Sequence, residues 1–462
     1  MAPNRPEPSR REFLARGGRA AAGIVAGGAL AGCASSPPAP VFAATPRPLG
    51  AGAPVRLAVL GIRSRGMELA RGFSAIPGVR VKTLCDPDSN LFAERVRALA
   101  KQEGGPPGVE TDLRRVFDDD EIDAVAIATP DHWHALATIW ACQAGKHVYV
   151  EKPCSHNLFE GRRMVEAARK YGCIVEVGFQ NRSIRNVRRA MKFLHDGGIG
   201  EVYLARGLCF KPRDSIGRKP DSAVPDGVDY DLWLGCAPER PFNENRFHYE
   251  WHWFWDYGCG DIGNQGPHQF DIARWGLGVA GHPVSVQSEG GYFAWDSDQE
   301  TPNTQTAAFR YADGRLLTFE VRGLYTNAEE GIRIGNLFYG TEGWMHLRGS
   351  TWKTFFGRRN EPGPGSEDEE ESADPMDLAG TGSGNHFENF VAALRSGRAE
   401  DLTCGIEEGF LSTALPHLAN IAYRVGRRLR FDGARERFAG DREADALRTR
   451  PYREPFVVPE EV

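Results

Sequence analysis

The chain predicts an α/β fold of two domains: an N-terminal doubly wound parallel sheet of Rossmann type, then a C-terminal α/β domain with a large, open, mostly antiparallel sheet. Three observations predict it. Apolar runs alternate with helical patterns between residues 55 and 177, the rhythm of successive βαβ units. One run, Ala124-Val125-Ala126-Ile127-Ala128, is apolar on both faces, as a strand between two helix layers must be. Beyond about residue 180 the pattern changes to strand pairs joined by tight turns, such as Asp313-Gly314 between residues 309–312 and 315–319.

Taken in order, residues 55–60 (Val-Arg-Leu-Ala-Val-Leu) read as a strand, and Gly61 to Gly66 turn into a helix from Met67. Residues 79–85 are a second strand ending at Asp86, with a helical pattern over 90–101. A helix over 134–144 follows the doubly apolar strand and leads to Val148-Tyr149-Val150. An amphipathic helix over 158–171 and a strand over 174–177 complete the first domain. A helix over 187–195 and a strand over 201–210 open the second. After the Asp-Gly hairpin comes another, 337–339 with 344–347. Residues 358–384 hold Pro, Gly and an acidic run at 367–371, a solvated loop. Helices over 385–395 and 405–424 close the domain, and the tail is extended and punctuated by Pro, suited to wrapping a neighbouring surface. The boundaries expected are 1–54 for a leader and tether, 55–180, 181–430 and 431–462 for the tail.

The leader is the part that composition does not explain. Ser9-Arg10-Arg11-Glu12-Phe13-Leu14 precedes a weakly apolar run from Ala20 to Ala31, which reads as a twin-arginine export signal. Leu30-Ala31-Gly32-Cys33 resembles a lipobox, making Cys33 a candidate lipid anchor; cleavage near Val41-Phe42-Ala43, giving a soluble protein, is the alternative. Either places the protein in the periplasm or on the outer face of the membrane, with the Pro/Ala-rich stretch over 34–54 as a tether. A net charge of −6 gives no reason to expect nucleic acid as partner. The nine cysteines form no CxxC pair and take no metal spacing with His, so free thiols are expected, with no disulfide framework and no metal.

Four motifs carry chemistry. Gly61-x-Arg63-Ser64-Arg65-Gly66 joins a strand to a helix, where glycines let the backbone approach a pyrophosphate at the helix N-terminus; Arg63 replaces the middle glycine. Asp86, at the end of the second strand, is suited to adenosine ribose hydroxyls, and its charge favours NAD over NADP. Thr129 and Pro130 follow the buried strand and suit the nicotinamide half; His134 reads equally as a contact or a packing residue. Glu151-Lys152-Pro153 ends the next strand, where open α/β sheets hold their ligands and where desolvation draws a lysine towards neutrality.

Together with Gly260-Asp261-Ile262-Gly263-Asn264-Gln265-Gly266-Pro267-His268-Gln269-Phe270-Asp271, these motifs resemble the glucose-fructose oxidoreductase/inositol dehydrogenase/rhizopine catabolism family over about residues 55–430. The resemblance implies hydride transfer between NAD and a sugar-type carbon, with Lys152 and His268 at catalytic positions and an oligomer (dimer or tetramer) built on the open sheet. His268 suits proton uptake near neutral pH and Lys152 suits a developing alkoxide. Many members have Asp where this chain has Asn264, so Asp271 is the candidate to orient His268 or bind a hydroxyl. Trp255 and Tyr257, in an aromatic run from Trp251, suit a sugar face. Gln180 is a candidate cofactor contact, and Arg182, Asn181 and Arg213 candidate hydroxyl donors. Outside the cytoplasm NAD has no pool to exchange with, so tight retention is expected. An oxidoreductase on a sugar or glycoside hydroxyl is the leading expectation. An NAD-dependent glycosidase working by transient oxidation is the second, although such enzymes usually carry Glu-Val-Pro in place of Glu-Lys-Pro. A non-catalytic sugar-binding lipoprotein is the third.

Overall fold

The computed structural model describes residues 44–366 and 386–462; the export signature, Cys33 and the acidic run at 367–371 lie outside the described residues. Six parallel strands form the first sheet: β1 (Val55–Leu60), β2 (Val79–Cys85), β3 (Gly108–Glu110), β4 (Ala124–Ile127), β5 (His147–Val150) and β6 (Val175–Val177). Their order, β3-β2-β1-β4-β5-β6, puts the reversal of winding between β1 and β4. A ligand crevice opens at that point, above the strand carboxyl ends. The sequence pattern missed β3, because Gly-Val-Glu on a sheet edge carries no apolar run and is mostly exposed.

Helices α1 (Arg65–Ser74), α2 (Asp131–Gln143) and α3 (Leu158–Tyr171) belong to this layer. Helix α2 starts three residues before the expected position because Pro130 occupies the N-cap and its ring sets the entry. The helical pattern over 90–101 resolves into a 3-10 turn at Ser89–Leu91 and a helix at Phe92–Ala98.

The second sheet has ten strands: β7 (Val202–Cys209), β8 (Ser285–Gly291), β9 (Thr304–Arg310), β10 (Leu316–Arg322), β11 (Ile334–Gly340), β12 (Gly343–Arg348), β13 (Thr351–Phe356), β14 (Glu361–Gly365), β15 (Leu429–Asp432) and β16 (Arg437–Phe438). Their order is β14-β13-β12-β11-β7-β10-β9-β8-β15-β16. Every neighbouring pair is antiparallel except β7 with β10. Both expected hairpins are present, β9 with β10 and β11 with β12. Strand β14 corrects the loop reading of 361–365: Glu-Pro-Gly-Pro-Gly pairs with β13 at the sheet edge, where proline is tolerated.

One face of this sheet is covered by α4 (Arg185–His195), α5 (Gly266–Leu277) and α7 (Ile406–Val425). Helix α6 (His386–Ser396) instead returns to the first domain, where Phe387 and Phe390 pack on Phe73 and Tyr149 with ring centroids 4.9–6.0 Å apart. The tail is less extended than its sequence suggests. After β16 and a short helix at Arg442–Ala446 it lies on α2, with Phe456 fully buried against Trp133 and Trp140. The surface it wraps is this chain's own. The eight described cysteines are buried free thiols, and no helix among the described residues is long and apolar enough to cross a membrane.

Phe410 of α7 joins the domains across α3. It is fully buried, and a Cβ on Gly161 would lie 2.2 Å from its ring. Phe410→Ala should destabilise the protein by about 3–5 kcal/mol in equilibrium denaturant unfolding; an unchanged midpoint would mean the contact contributes nothing.

Candidate functional site

The glycine turn is dictated by crowding. Gly61 has φ +79°, and a Cβ there would sit 2.7 Å from the carbonyl oxygen of Ala128. A Cβ on Gly66 would meet the Gly61 carbonyl oxygen at 1.7 Å. The α1 N-terminus is thereby held against the ends of β1 and β4, and Gly61, Arg63, Ser64 and Arg65 line a cavity of about 270 Å³. Gly66 lies behind it as a packing requirement. The two arginines differ: Arg65 is committed to Glu151 (Nε to Oε1, 2.8 Å) and to Glu68 (2.8 Å). Arg63 has no ion pair among the described residues and is exposed on the cavity wall, free for a phosphate.

Asp86 lines the same cavity, taking the amides of Ile62 and Asp88 on its two oxygens at 2.9 and 3.0 Å. Burial pushes its pKa up to about 6, against those two hydrogen bonds. Thr129 and Pro130 form the next stretch of wall, and the Thr129 hydroxyl is buried without a partner. His134 lies between two loops. Its Nε2 faces the Thr129 carbonyl oxygen at 2.9 Å and its Nδ1 that of Pro153 at 2.7 Å, so it ties the Thr-Pro turn to the Glu-Lys-Pro turn.

Lys152 is half-buried, and its Nζ donates to the backbone carbonyl of Asn264 at 2.9 Å. Burial draws its pKa down, opposed by Glu151 and Asp131. His268, in the first turn of α5, reaches the same cavity from the other domain with Nδ1 buried and unpartnered. Burial, then Lys152 and Arg65, push its pKa well below the usual imidazole range. The imidazole is thus held neutral, the form that can accept a proton.

Other expected contacts lie elsewhere. Asp271 is fully buried, takes a two-pronged ion pair from Arg182 (2.7 and 2.8 Å) and accepts from the Ser412 hydroxyl at 2.7 Å. Neither Asp271 nor Arg182 faces the cavity. Gln180 stands behind Glu151, donating to it at 3.0 Å and to the Tyr149 hydroxyl at 2.7 Å, so it orients Glu151 and does not line the cavity. Asn181 is likewise buried away from it. Tyr257 is buried against His132 and Trp233, and Trp255 carries the Arg424 guanidinium 5.2 Å over its ring. The aromatic run does reach the cavity, through Trp251 and His252. The turn at Glu250–Trp253 rotates those rings inward, a reversal that a residue-type count does not register.

The sequence reading also missed how the cavity is roofed. The segment over 211–257 supplies Lys211, Arg213, Trp233, His248, Tyr249, Trp251 and His252. It reaches the loop after β2 through the Asp229 amide on the Pro87 carbonyl (2.8 Å), the Ser89 amide on that of Gly227 (2.9 Å) and His248 against Asp88 (3.0 Å).

These two lobes and the cavity between them match known proteins. The model of the oxidoreductase family with NAD-binding Rossmann fold (Gfo/Idh/MocA) matches residues 55–179, and that of its C-terminal alpha/beta domain matches 214–331 and 382–458. The chain belongs to the Gfo/Idh/MocA oxidoreductase family. A glycosyl hydrolase family 109 protein of Shewanella baltica is 33% identical over 169 residues, or 35% of this chain. That match spans 37% of the relative's length. The WlbA dehydrogenase of Bordetella pertussis, solved with NADH and UDP-GlcNAcA, shares the fold at a TM-score of 0.59 and 21% identity, over 82% of this Gfo/Idh/MocA chain and 99% of that one. Levoglucosan dehydrogenase, solved with NADH and levoglucosan, gives 0.61 and 19%, over 81% and 99%.

Two outcomes follow from the geometry. NAD ribose hydroxyls donate more strongly to a carboxylate than to its protonated form, so NAD affinity of cofactor-stripped protein should fall as pH drops below about 6; in Asp86→Asn the dependence disappears. Asp271→Asn removes the two-pronged partner of Arg182, which keeps Glu408 at 3.2 Å, and should cost about 1–3 kcal/mol of stability with substrate KM unchanged. Intact stability with a raised KM would return Asp271 to the site.

Proposed function

We propose that this protein is an NAD-dependent oxidoreductase acting on a CH–OH group of a sugar or glycoside. One observation carries the reading: Lys152 of the first domain and His268 of the second line a single cavity with Gly61, Arg63 and Asp86. The fit to a dinucleotide rests on the absence of room for a Cβ at Gly61, on Arg63 having no ion pair among the described residues, and on the buried Thr129 hydroxyl without a partner among them. NAD, when bound, supplies the acceptor for the hydride. Gly61, Ser64 and Arg63 hold its phosphates, Asp86 its ribose, and Thr129 and Pro130 its nicotinamide half. Lys152 stabilises the developing alkoxide as a cation, and the neutral His268 takes up the hydroxyl proton. Asn264, Trp251, His252 and Arg213 face the sugar.

The likeness to a family 109 glycosyl hydrolase supports a second reading, in which oxidation is transient and the hydride returns after a glycosidic bond is cleaved. Lys152 at the place where such enzymes usually carry Val supports the first. The roof over 211–257 supports tight retention of NAD, which fits the twin-arginine signature at Arg10-Arg11 and export to the periplasm, with Cys33 as the lipid anchor. The stacked Tyr339, Trp344 and Phe355 on the sheet face away from the helices support a homo-oligomer.

The test begins by denaturing purified protein and quantifying released NAD, expected at one per chain. A panel of glycosides is then followed at the reduced-nicotinamide absorbance. Lasting NADH means net oxidation, whereas free sugar without NADH means the closed cycle. Lys152→Ala should lower turnover by about 10²–10³-fold. No turnover in either protein would leave a binding module.

A further inference from the structure

We propose that the C-terminal segment over 448–458 is a clasp that holds the cavity roof on the first domain and thereby slows release of the dinucleotide. Arg450 and Arg453 are its positioning residues. The consequence for the dinucleotide rests on the reading of the cavity as the NAD site; the clasp itself does not.

The roof includes a short helix, Tyr230–Leu234, from which Leu232 and Trp233 line the cavity. This helix lies on the start of α2. The Trp133 indole donates to the Leu232 carbonyl at 3.0 Å, and His132 Nε2 faces the Trp233 carbonyl oxygen at 3.0 Å. The tail grips the same helix. Arg453 Nε donates to the Gly235 carbonyl at 2.9 Å and Nη2 to that of Asp231 at 2.7 Å, while Nη1 pairs with the Asp231 carboxylate. One guanidinium fork therefore holds both ends of the helix. Among the described residues, every side-chain hydrogen bond of Arg453 goes to the roof.

Arg450 lies deeper and joins the roof to the first domain. Its Nη1 donates to the Asp256 carbonyl at 2.8 Å, and its Nη2 reaches the Cys236 sulfur at 3.1 Å and the His132 carbonyl at 3.3 Å. Its Nε stands 3.4 Å from the Glu160 carboxylate of α3. Phe456 anchors the segment on α2, its ring centroid 5.4 Å from that of Trp133, a cavity-wall residue.

The bland alternative is a tail that only fills an apolar groove. Phe456 alone would serve that purpose. Burying a guanidinium is costly unless its donors are met, and here they are met by backbone carbonyls of the roof and of α2. Such contacts bury little apolar surface; what they fix is position. They form an attachment separate from the one at Pro87, Asp88 and Ser89. A roof that lifts to release a dinucleotide must break them.

Hydrogen exchange on the purified full chain, followed by mass spectrometry, reads the clasp directly. The reporters are the amides of Trp233 and Gly235, bonded to the carbonyls of Asp229 and Asp231 at 3.0 Å. Arg453→Ala should speed their exchange by about ten- to a hundredfold, with β1, β4 and β5 unchanged. Replacement of bound NAD by isotopically labelled NAD should quicken by a similar factor. Arg450→Met tests the inner contact in a second variant; Glu160 keeps Asn157, Tyr452 and the His156 amide as partners there. Unchanged exchange over 229–236 in folded Arg453→Ala overturns the proposal. Exchange raised equally throughout the first domain does so too, since that is general loosening. Faster local exchange with unchanged NAD replacement overturns the link to retention. A purified protein that holds no NAD counts against the proposed function, and the exchange result then decides the clasp by itself.

Discussion

The geometry of the site depends on the ion pair between Arg65 and Glu151. Arg65 opens the helix after the glycine turn, Glu151 ends β5, and their side chains are 17% and 7% exposed. The pair spans the crevice where the winding of the sheet reverses, so the phosphate end and the lysine end of the cavity are set by one contact. Burial would raise the Glu151 pKa, but Arg65 and Lys152 outweigh it and hold the carboxylate ionised. Gln180 and Tyr149 then fix the Glu151 orientation from behind. A cation sharing a buried carboxylate has little left to offer a ligand, whereas Arg63 has no ion pair among the described residues.

The first domain was legible because its signals are local. A doubly apolar run can only be a sandwiched strand, and a glycine forced to positive φ between strand and helix has few other uses. Gly61, Asp86, Thr129 and Lys152 all sit at strand ends, so finding the strands found the residues. What failed was anything set by the partner of a side chain. Asp271 lies three residues from His268 on one helix, yet it faces a buried arginine where His268 faces the cavity. Trp255 and Trp251 belong to one aromatic run, and a single 3-10 turn decides which ring reaches the ligand space. Sequence spacing does not encode such turns. The burial that lowers His268 below neutrality is equally invisible until both domains are in place.

The roof over 211–257 shows what a two-domain arrangement adds. Its composition, Pro-containing and rich in aromatic residues that form a small core of their own, does not mark it as a roof. Its contacts with Pro87, Asp88 and Ser89 place it over the end of the cavity where Asp86 stands. That side is thus closed by backbone hydrogen bonds and one His-Asp contact, while Lys211 and Tyr249 stay exposed.

Helix α6 carries a consequence for how the molecule is assembled. Phe387 and Phe390 fill the apolar face formed by Phe73 and Tyr149, residues from much earlier in the chain. A ribosome that has released only the first lobe presents that aromatic surface bare, so the nucleotide-binding half matures after synthesis is nearly finished. Fragments ending near the lobe boundary would be poor subjects for isolation, and a chimaera that borrows this lobe must borrow the late helix with it.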